Sequence, residues 1–110
     1  MKDLETAILN WFKENNPELE NVISRLSIRR REETESGSFT YFIGGRLEDP
    51  MENISIYNVA GPYISSPELQ GGAMTVLGIS DGEIVFLEIM ALDDNGNSNS
   101  IEKFELKERF

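Results

Sequence analysis

The stretch GAMTVLGISDGEIVFLEIMAL, residues 72–92, places the pair Asp81-Gly82 between two apolar runs. Two-residue hairpin turns of this kind require positive φ at both central positions, and Asp-Gly is a favoured pair there. The stretch therefore predicts a tight β-hairpin. Counting outward from the turn without interruption places Thr75 opposite Glu88. Because both faces of the hairpin are apolar, we expect it to lie in the interior of a sheet.

Shorter alternating or aromatic runs on both sides of this hairpin predict four further strands. These strands are predicted at about 25–34, 38–44, 54–60 and 101–108. The stretch SSPELQGG, residues 65–72, predicts at most one helical turn, because its proline favours a helix start and its two glycines end it. The expected sheet is antiparallel and has about six strands.

The N-terminal segment has apolar residues at helical spacing. The stripe consists of Leu4, Ala7, Ile8, Trp11 and Phe12. It predicts a helix over about 3–14, and Asn16-Pro17 favours the start of a short second helix that runs to about Ile23. One or two N-terminal helices packed on an antiparallel sheet predict a single α+β domain over residues 1–110.

The chain contains neither histidine nor cysteine. This excludes Ser-His-Asp and Cys-His nucleophile systems, the usual zinc sites and disulfide bonds. Carboxylate chemistry remains open, such as a glycosidase-like acid pair or magnesium held by aspartates. No apolar run is long enough to cross a bilayer, and the N-terminus MKDLETAILNWFKEN has no cleavage site, so we expect a soluble, cytoplasmic protein.

The charge is strongly unbalanced, with 20 acidic and 10 basic residues and a formal net charge of -10. Such a surface repels nucleic acid and anionic membranes and accelerates encounter with basic partners, although it also simply keeps a small protein soluble. The basic run Arg29-Arg30-Arg31 does not form one patch, since its members alternate faces on a strand and Glu32 and Glu33 follow at once. We expect these arginines to bind carboxylates across the strands.

The polar stretch DDNGNSNS, residues 93–100, places Asp93, Asn95 and Asn97 at the first three ligand positions of a calcium-loop pattern. The complete pattern also requires a glycine and a bidentate glutamate further on, where this chain has a serine and a phenylalanine. Asn, Gly, Ser and Asp all tolerate turn conformations. We therefore predict a long polar hairpin loop and no metal or cofactor.

Glu88 lies in an apolar strand, where Phe86, Met90 and Leu77 are its expected neighbours. A carboxylate in such surroundings is costly unless it is hydrogen-bonded, paired or open to solvent. One interpretation is structural, either an ion pair with an arginine of residues 29–31 or an exposed position. The other is functional, either an acid in a cleft or a partner contact. Glycosidase chemistry would require a second, converging carboxylate.

Two stretches, NPELENVISRLSIRRREETESGSFTYFI (residues 16–43) and LQGGAMTVLGISDGEIVFLEIMAL (residues 69–92), combine a short helix, an arginine-bearing strand, a glycine-then-aromatic strand and a hairpin. In this order of elements the chain resembles small bacterial immunity proteins of polymorphic and contact-dependent toxin systems. The resemblance implies a cytoplasmic protein that inhibits a toxin domain stoichiometrically, often a basic nuclease. It assigns no binding residue by motif.

The leading hypothesis is a non-catalytic, acidic protein-binding module, an immunity protein that binds and neutralises a basic toxin domain. The residues expected to contact this partner lie in the long polar loop and beside the first hairpin turn: Asp93, Asp94, Asn95, Asn97, Glu33 and Glu35. An alternative hypothesis is a carboxylate-based enzyme or small-ligand-binding domain that uses Glu88 in a sheet-lined cleft. A third is a calcium-responsive module that uses residues 93–97.

Overall fold

The computed structural model describes residues 3–47, 56–92, 101 and 103–108. Helix α1 spans Asp3–Asn15, and a 3-10 turn at Pro17–Leu19 leads directly into α2, Glu20–Ser24. The strands in this part of the chain are β1 Ser27–Glu33, β2 Gly37–Ile43, β3 Ile56–Ala60, β4 Tyr63–Ser66, β5 Leu69–Ser80, β6 Glu83–Ala91 and β7 Glu105–Lys107. The predicted α+β class, with helices N-terminal to an antiparallel sheet, is confirmed.

The strands form one antiparallel sheet in the order β1-β2-β6-β5-β4-β7. Strand β5 is long enough to pair with β6 along one edge and with both β3 and β4 along the other. The β5–β6 hairpin therefore lies in the interior of the sheet, as its two apolar faces predict. Its turn is also as predicted, since Asp81 and Gly82 have φ values of 51° and 75°.

The predicted register of this hairpin is wrong beyond its first residues. The pairing slips by one residue near the turn, where Val85 is an extra residue on β6. Such a β-bulge moves every later side chain relative to the partner strand. Glu88 consequently lies opposite Val76 instead of Thr75. The Thr75 hydroxyl donates a hydrogen bond to the Pro62 carbonyl at 2.7 Å.

The predicted helical turn in SSPELQGG is also wrong, because β4 pairs with β5 in this region and Pro67 and Glu68 form the turn between them. Gly71 and Gly72 have φ values of 82° and 72° and interrupt the register between the two strands. The Tyr63 hydroxyl donates to the Gly71 carbonyl at 2.7 Å across this irregular region. A strand of only four residues between two prolines is too short to show a periodicity, so the sequence pattern does not indicate it.

The hydrophobic core lies between the helices and one face of the sheet. The helices contribute the buried side chains of Leu4, Ile8, Leu9, Phe12, Leu19, Val22 and Ile23. The sheet contributes those of Phe42, Ile64, Leu69, Ala73, Leu77, Ile79, Ile84, Leu87, Ile89 and Ala91. Trp11 belongs to the predicted apolar stripe but is only partly buried. Because the helices cover a single face, the opposite face of the sheet stays outside the core.

In the described part of the chain, no helix combines the length and the apolar character that crossing a membrane requires. The longest, α1, has 13 residues and carries Asp3, Glu5 and Lys13.

Candidate functional site

The sheet face opposite the helices carries aromatic, methionine and carboxylate side chains in cross-strand rows. One row consists of Arg30, Tyr41, Phe86, Gly78 and Asn58. The next row consists of Glu32, Phe39, Glu88, Val76 and Ala60. Ile43 continues the face at one end of β2, and Met74 and Met90 face each other at the other end. The surface formed by these residues is called the open face below.

Exposed apolar side chains are concentrated on the open face. Among the described residues, the exposed large apolar side chains are those of Ile43, Met74, Met90 and Leu92, with exposed fractions of 53%, 37%, 37% and 45%. The first three lie on the open face, and Leu92 directly follows β6. A concentration of apolar side chains on one side of a soluble domain is a feature of interaction surfaces.

Three half-buried rings form a cluster in the middle of the open face. The ring centroids of Phe39 and Phe86 lie 5.5 Å apart, those of Phe39 and Tyr41 6.0 Å apart, and those of Tyr41 and Phe86 6.3 Å apart. These separations fall in the range of favourable aromatic pairs. The three rings therefore form a continuous aromatic surface on this face.

Gly78 determines where the Phe86 ring lies. A Cβ atom at this position would overlap the ring atoms of Phe86, so only glycine allows the ring to lie across β5. The glycine interrupts an otherwise apolar strand in the sequence, and a glycine at such a point is a signal that a neighbouring group approaches closely.

Glu88 lies at the centre of the open face and not in the core. Phe39 and Val76 flank it on the neighbouring strands, and its side chain is half-buried. The expected neighbour Leu77 is fully buried on the opposite face, because the bulge separates the two. Among residues 3–47, 56–92, 101 and 103–108, no side chain forms an ion pair or hydrogen bond with the Glu88 carboxylate.

Arg30 shows how a cation is held on the open face. Its guanidinium carbon lies 4.1 Å from the centroid of the Tyr41 ring, and its Nη1 atom donates to Glu32 Oε2 at 3.0 Å. A cation within about 6 Å of a ring centroid is attracted by the ring's negative face. The guanidinium is thus bound by an aromatic ring and a carboxylate together.

Arg31 points to the other face and binds the buried carboxylate of Glu5, which is not among the residues predicted to be functional. Its Nε and Nη2 atoms donate to the two carboxylate oxygens of Glu5 at 3.0 and 2.7 Å, and the Thr40 hydroxyl donates to Glu5 Oε2 at 2.6 Å. The side chain of Glu5 is almost entirely buried. These hydrogen bonds from Arg31 to Glu5 raise the pKa of Arg31, against the opposing effect of desolvation. The pair joins α1 to the sheet and is structural.

The expectation that these arginines bind carboxylates on the neighbouring strand is therefore wrong for both Arg30 and Arg31. Arg30 binds a residue of its own strand, and Arg31 binds a residue of α1. A signal for Glu5 does exist in the sequence: it precedes Ile8, Leu9 and Phe12 by three, four and seven residues, which places it on the buried side of the helix.

The predicted contact residues near the first hairpin turn lie at one end of the sheet. Glu33, the last residue of β1, and Glu35, in the turn that follows, are exposed. This turn adjoins the end of β6, where the Ala91 amide donates to the Ser36 carbonyl at 2.6 Å. Leu92, the next residue, leads into residues 93–100. The four other predicted contact residues lie outside the described residues: Asp93, Asp94, Asn95 and Asn97.

Two cavities lie at the connection between β3 and β4. One has a volume of 330 Å³ and is lined by Gly61, Tyr63 and Met74 among others, and the second, of 420 Å³, is lined by Trp11 and Asn15. Glu88 lines neither of them. Within the described residues, no group of three or more acidic side chains is arranged to hold a metal ion, and the calcium-loop pattern lies outside them.

Comparison with known proteins gives no match: no family model matches the chain, and no curated protein or solved structure is significantly similar to it. The resemblance to immunity proteins therefore stays a prediction.

Proposed function

We propose that the chain is a non-catalytic protein-binding module whose partner is a basic protein, and that it acts as an immunity protein that neutralises a toxin domain. The observation that supports this role best is the open face, which combines aromatic rings, methionines and a central carboxylate on a chain of net charge -10. Aromatic residues and methionine are enriched at protein interfaces. A strongly acidic surface accelerates association with a basic partner.

Carboxylates at one end of the sheet supply an acidic rim to this surface. Glu33 and Glu35 are exposed there. In the sequence, Asp93 and Asp94 begin two residues after the end of β6. We propose that these residues, together with Asn95 and Asn97, steer the partner towards the open face. Rim charges act mainly on the association rate, whereas the buried centre of an interface acts on the dissociation rate.

The surroundings of Glu88 favour binding over catalysis. An acid–base mechanism would require a second free carboxylate that converges on it. Glu32 belongs to the same row, but Phe39 lies between the two and Glu32 is bound to Arg30. The enzyme or small-ligand hypothesis for Glu88 therefore has less support than docking of a protein onto the open face.

The experiment uses the protein encoded by the gene immediately upstream, which we expect to be a large secreted protein whose variable C-terminal domain is the toxin. Co-expression of this toxin domain with the chain in the cytoplasm should restore the growth that the toxin domain alone inhibits. Calorimetry on the purified proteins should give one-to-one binding, and stopped-flow measurements should give an association rate that falls steeply with added salt. A toxin domain that this chain neither binds nor neutralises, or a gene order without such a protein, contradicts the proposed function.

A further inference from the structure

We propose, as an extension that rests on the proposed function, that the open face binds a lysine or arginine side chain of the partner against the rings of Phe39 and Phe86, in an ion pair with Glu88. This assigns a surface, a central residue and the type of partner side chain that it recognises.

Desolvation of Glu88 requires a cation. A protein that covers the open face removes water from this carboxylate, and a buried charge without a partner is strongly unfavourable. Phe39 and Val76, its cross-strand neighbours, have no side-chain hydrogen-bond donor. Since no side chain of the described residues bonds to this carboxylate, we expect the partner to supply the donor, and an ammonium or guanidinium group supplies both the hydrogen bonds and the opposite charge.

The neighbouring row of the open face already binds a cation in this way. Arg30 lies over the ring of Tyr41 and pairs with Glu32. The same combination of an aromatic ring and a carboxylate on adjacent strands occurs at Phe39 and Glu88. A guanidinium from a partner would thus meet the same chemistry that holds Arg30, with the additional ring of Phe86 on the strand of Glu88.

The dimensions of the open face suit the centre of a protein interface. Four strand spacings from β1 to β3 correspond to about 19 Å, and the six residue-to-residue steps from Gly37 to Ile43 to about 20 Å. The resulting area of roughly 400 Å² is about half of what one partner buries in a standard interface. The acidic rim at Glu33 and Glu35 adjoins this area and extends it.

A second copy of this chain is a poor occupant for the open face. A symmetric dimer through this surface brings the same patch of both copies together, and Glu88 is at its centre. Each copy also carries a net charge of -10, so the two repel each other. Charge complementarity therefore favours a basic partner.

The test selects binders from a displayed library of random peptides, with the intact wild-type chain as bait. The best peptides are synthesised, and their affinity is measured by fluorescence anisotropy. Backbone NMR shifts should map these peptides to β2, β6 and β5, and we expect each peptide to contain an arginine or lysine. Glu88→Gln, which keeps the shape and removes the charge, should weaken binding by about tenfold or more. Glu18→Gln, an equal charge change on the exposed 3-10 turn on the helix side, should change it less than about twofold.

A double-mutant cycle identifies the ion pair directly. An arginine peptide and its neutral citrulline analogue are measured against the wild-type chain and Glu88→Gln. If the two groups interact, each change should have little further effect once the other has been made. Thermal denaturation checks that Glu88→Gln, which changes a half-buried side chain, leaves the fold intact.

Three outcomes overturn the inference. The first is that the selected peptides lack a cation or bind away from the open face, and the second is that the losses of binding free energy in the double-mutant cycle are additive. The third is that sedimentation experiments show a dimer of this chain that Phe86→Ala dissociates. A toxin domain that binds the wild-type chain and Glu88→Gln equally well also overturns it and leaves the proposed function intact. If every toxin assay fails but peptides still bind at Glu88 through a cation, the proposed function is contradicted and this inference is not.

Discussion

Arg30 and Arg31 are consecutive residues of β1, yet their guanidinium groups lie on opposite faces of the sheet. Arg30 pairs with Glu32 on the open face, and both side chains are about half exposed. Arg31 pairs with the buried Glu5 under α1 and is joined there by Thr40. The same residue type thus joins the helix to the sheet on one face and contributes to a solvent-facing surface on the other. The difference shows that one face of this sheet is bound to the helix, whereas the other is open to solvent.

Leu87 and Phe86 extend this contrast to neighbouring residues of β6, and their truncation should have the largest effect. Leu87→Ala should lower the free energy of unfolding by about 3 kcal/mol, because the side chain is fully buried and leaves a cavity in the core. Phe86→Ala should cost less than half of that, since its ring is on the open face, but it should abolish the peptide binding described above. Urea denaturation of both variants provides the measurement. Equal losses of stability would show that the open face is a second core.

Arg31→Met should give the next largest loss. It leaves the Glu5 carboxylate buried without its cation, which costs several kcal/mol for a fully buried pair. Because the Arg31 side chain is 35% exposed, solvent screens part of this interaction, and we expect about 2 kcal/mol. The matched control is Arg30→Met, which should change stability little, as is usual for exposed pairs. A larger effect of the control in denaturant titrations would reverse the assignment of the two faces.

Gly78→Ala tests how the aromatic cluster is positioned. The added methyl group overlaps the Phe86 ring, so the ring must move and the protein should lose about 1 kcal/mol or slightly more. NMR spectra should show shifts of the Phe39, Tyr41 and Phe86 ring signals, and peptide affinity should fall. Asn58→Ala, in the same row, is the control and should leave the rings in place. Unchanged ring signals in Gly78→Ala would mean that glycine is not required at this position.

The acidic residues predicted to contact the partner should affect association rates with almost no effect on stability. Replacement of Asp93 and Asp94 by asparagine should slow association with the toxin domain several-fold at low salt, and high salt should remove the difference. Replacement of Glu33 and Glu35 by glutamine should act in the same direction. Stopped-flow kinetics measure both pairs of changes against Glu88→Gln, which should act mainly on the dissociation rate. If these variants associate at low salt as fast as the wild-type chain, the substituted residues do not belong to the proposed interface.

Much of the architecture follows from local features of the sequence. The stripe that includes Ile8 and Phe12 predicts α1, and the alternation after Leu26 predicts the first hairpin. The strand β4 was missed because four residues cannot show a periodicity and because Pro67 begins turns as well as helices. The expected partner of Glu88 was wrong for a different reason. A single extra residue, Val85, changed the register, and nothing in the local sequence distinguishes it from its apolar neighbours.

The candidate site shows the same division. Glu88 was recognised as unusual because a carboxylate among apolar residues of a strand is costly wherever it lies. Its position on the open face depends on the bulge and on which face α1 covers. Glu5 has the spacing of a core residue, but its partners Arg31 and Thr40 come from two different strands. Only the folded chain brings those residues within hydrogen-bonding distance.

The sequence by itself determined the helices, the Asp81-Gly82 turn, the α+β class and the acidic charge, because backbone preference, periodicity and charge are properties of short segments. The tertiary structure decided the strand order, the bulge, the burial of Glu5 and the position of Glu88 on the open face. These depend on which distant segments meet, and that choice is made by the packing of the whole core. Both faces of the β5–β6 hairpin are apolar in the sequence, but only the position of α1 decided which of the two faces became part of the hydrophobic core.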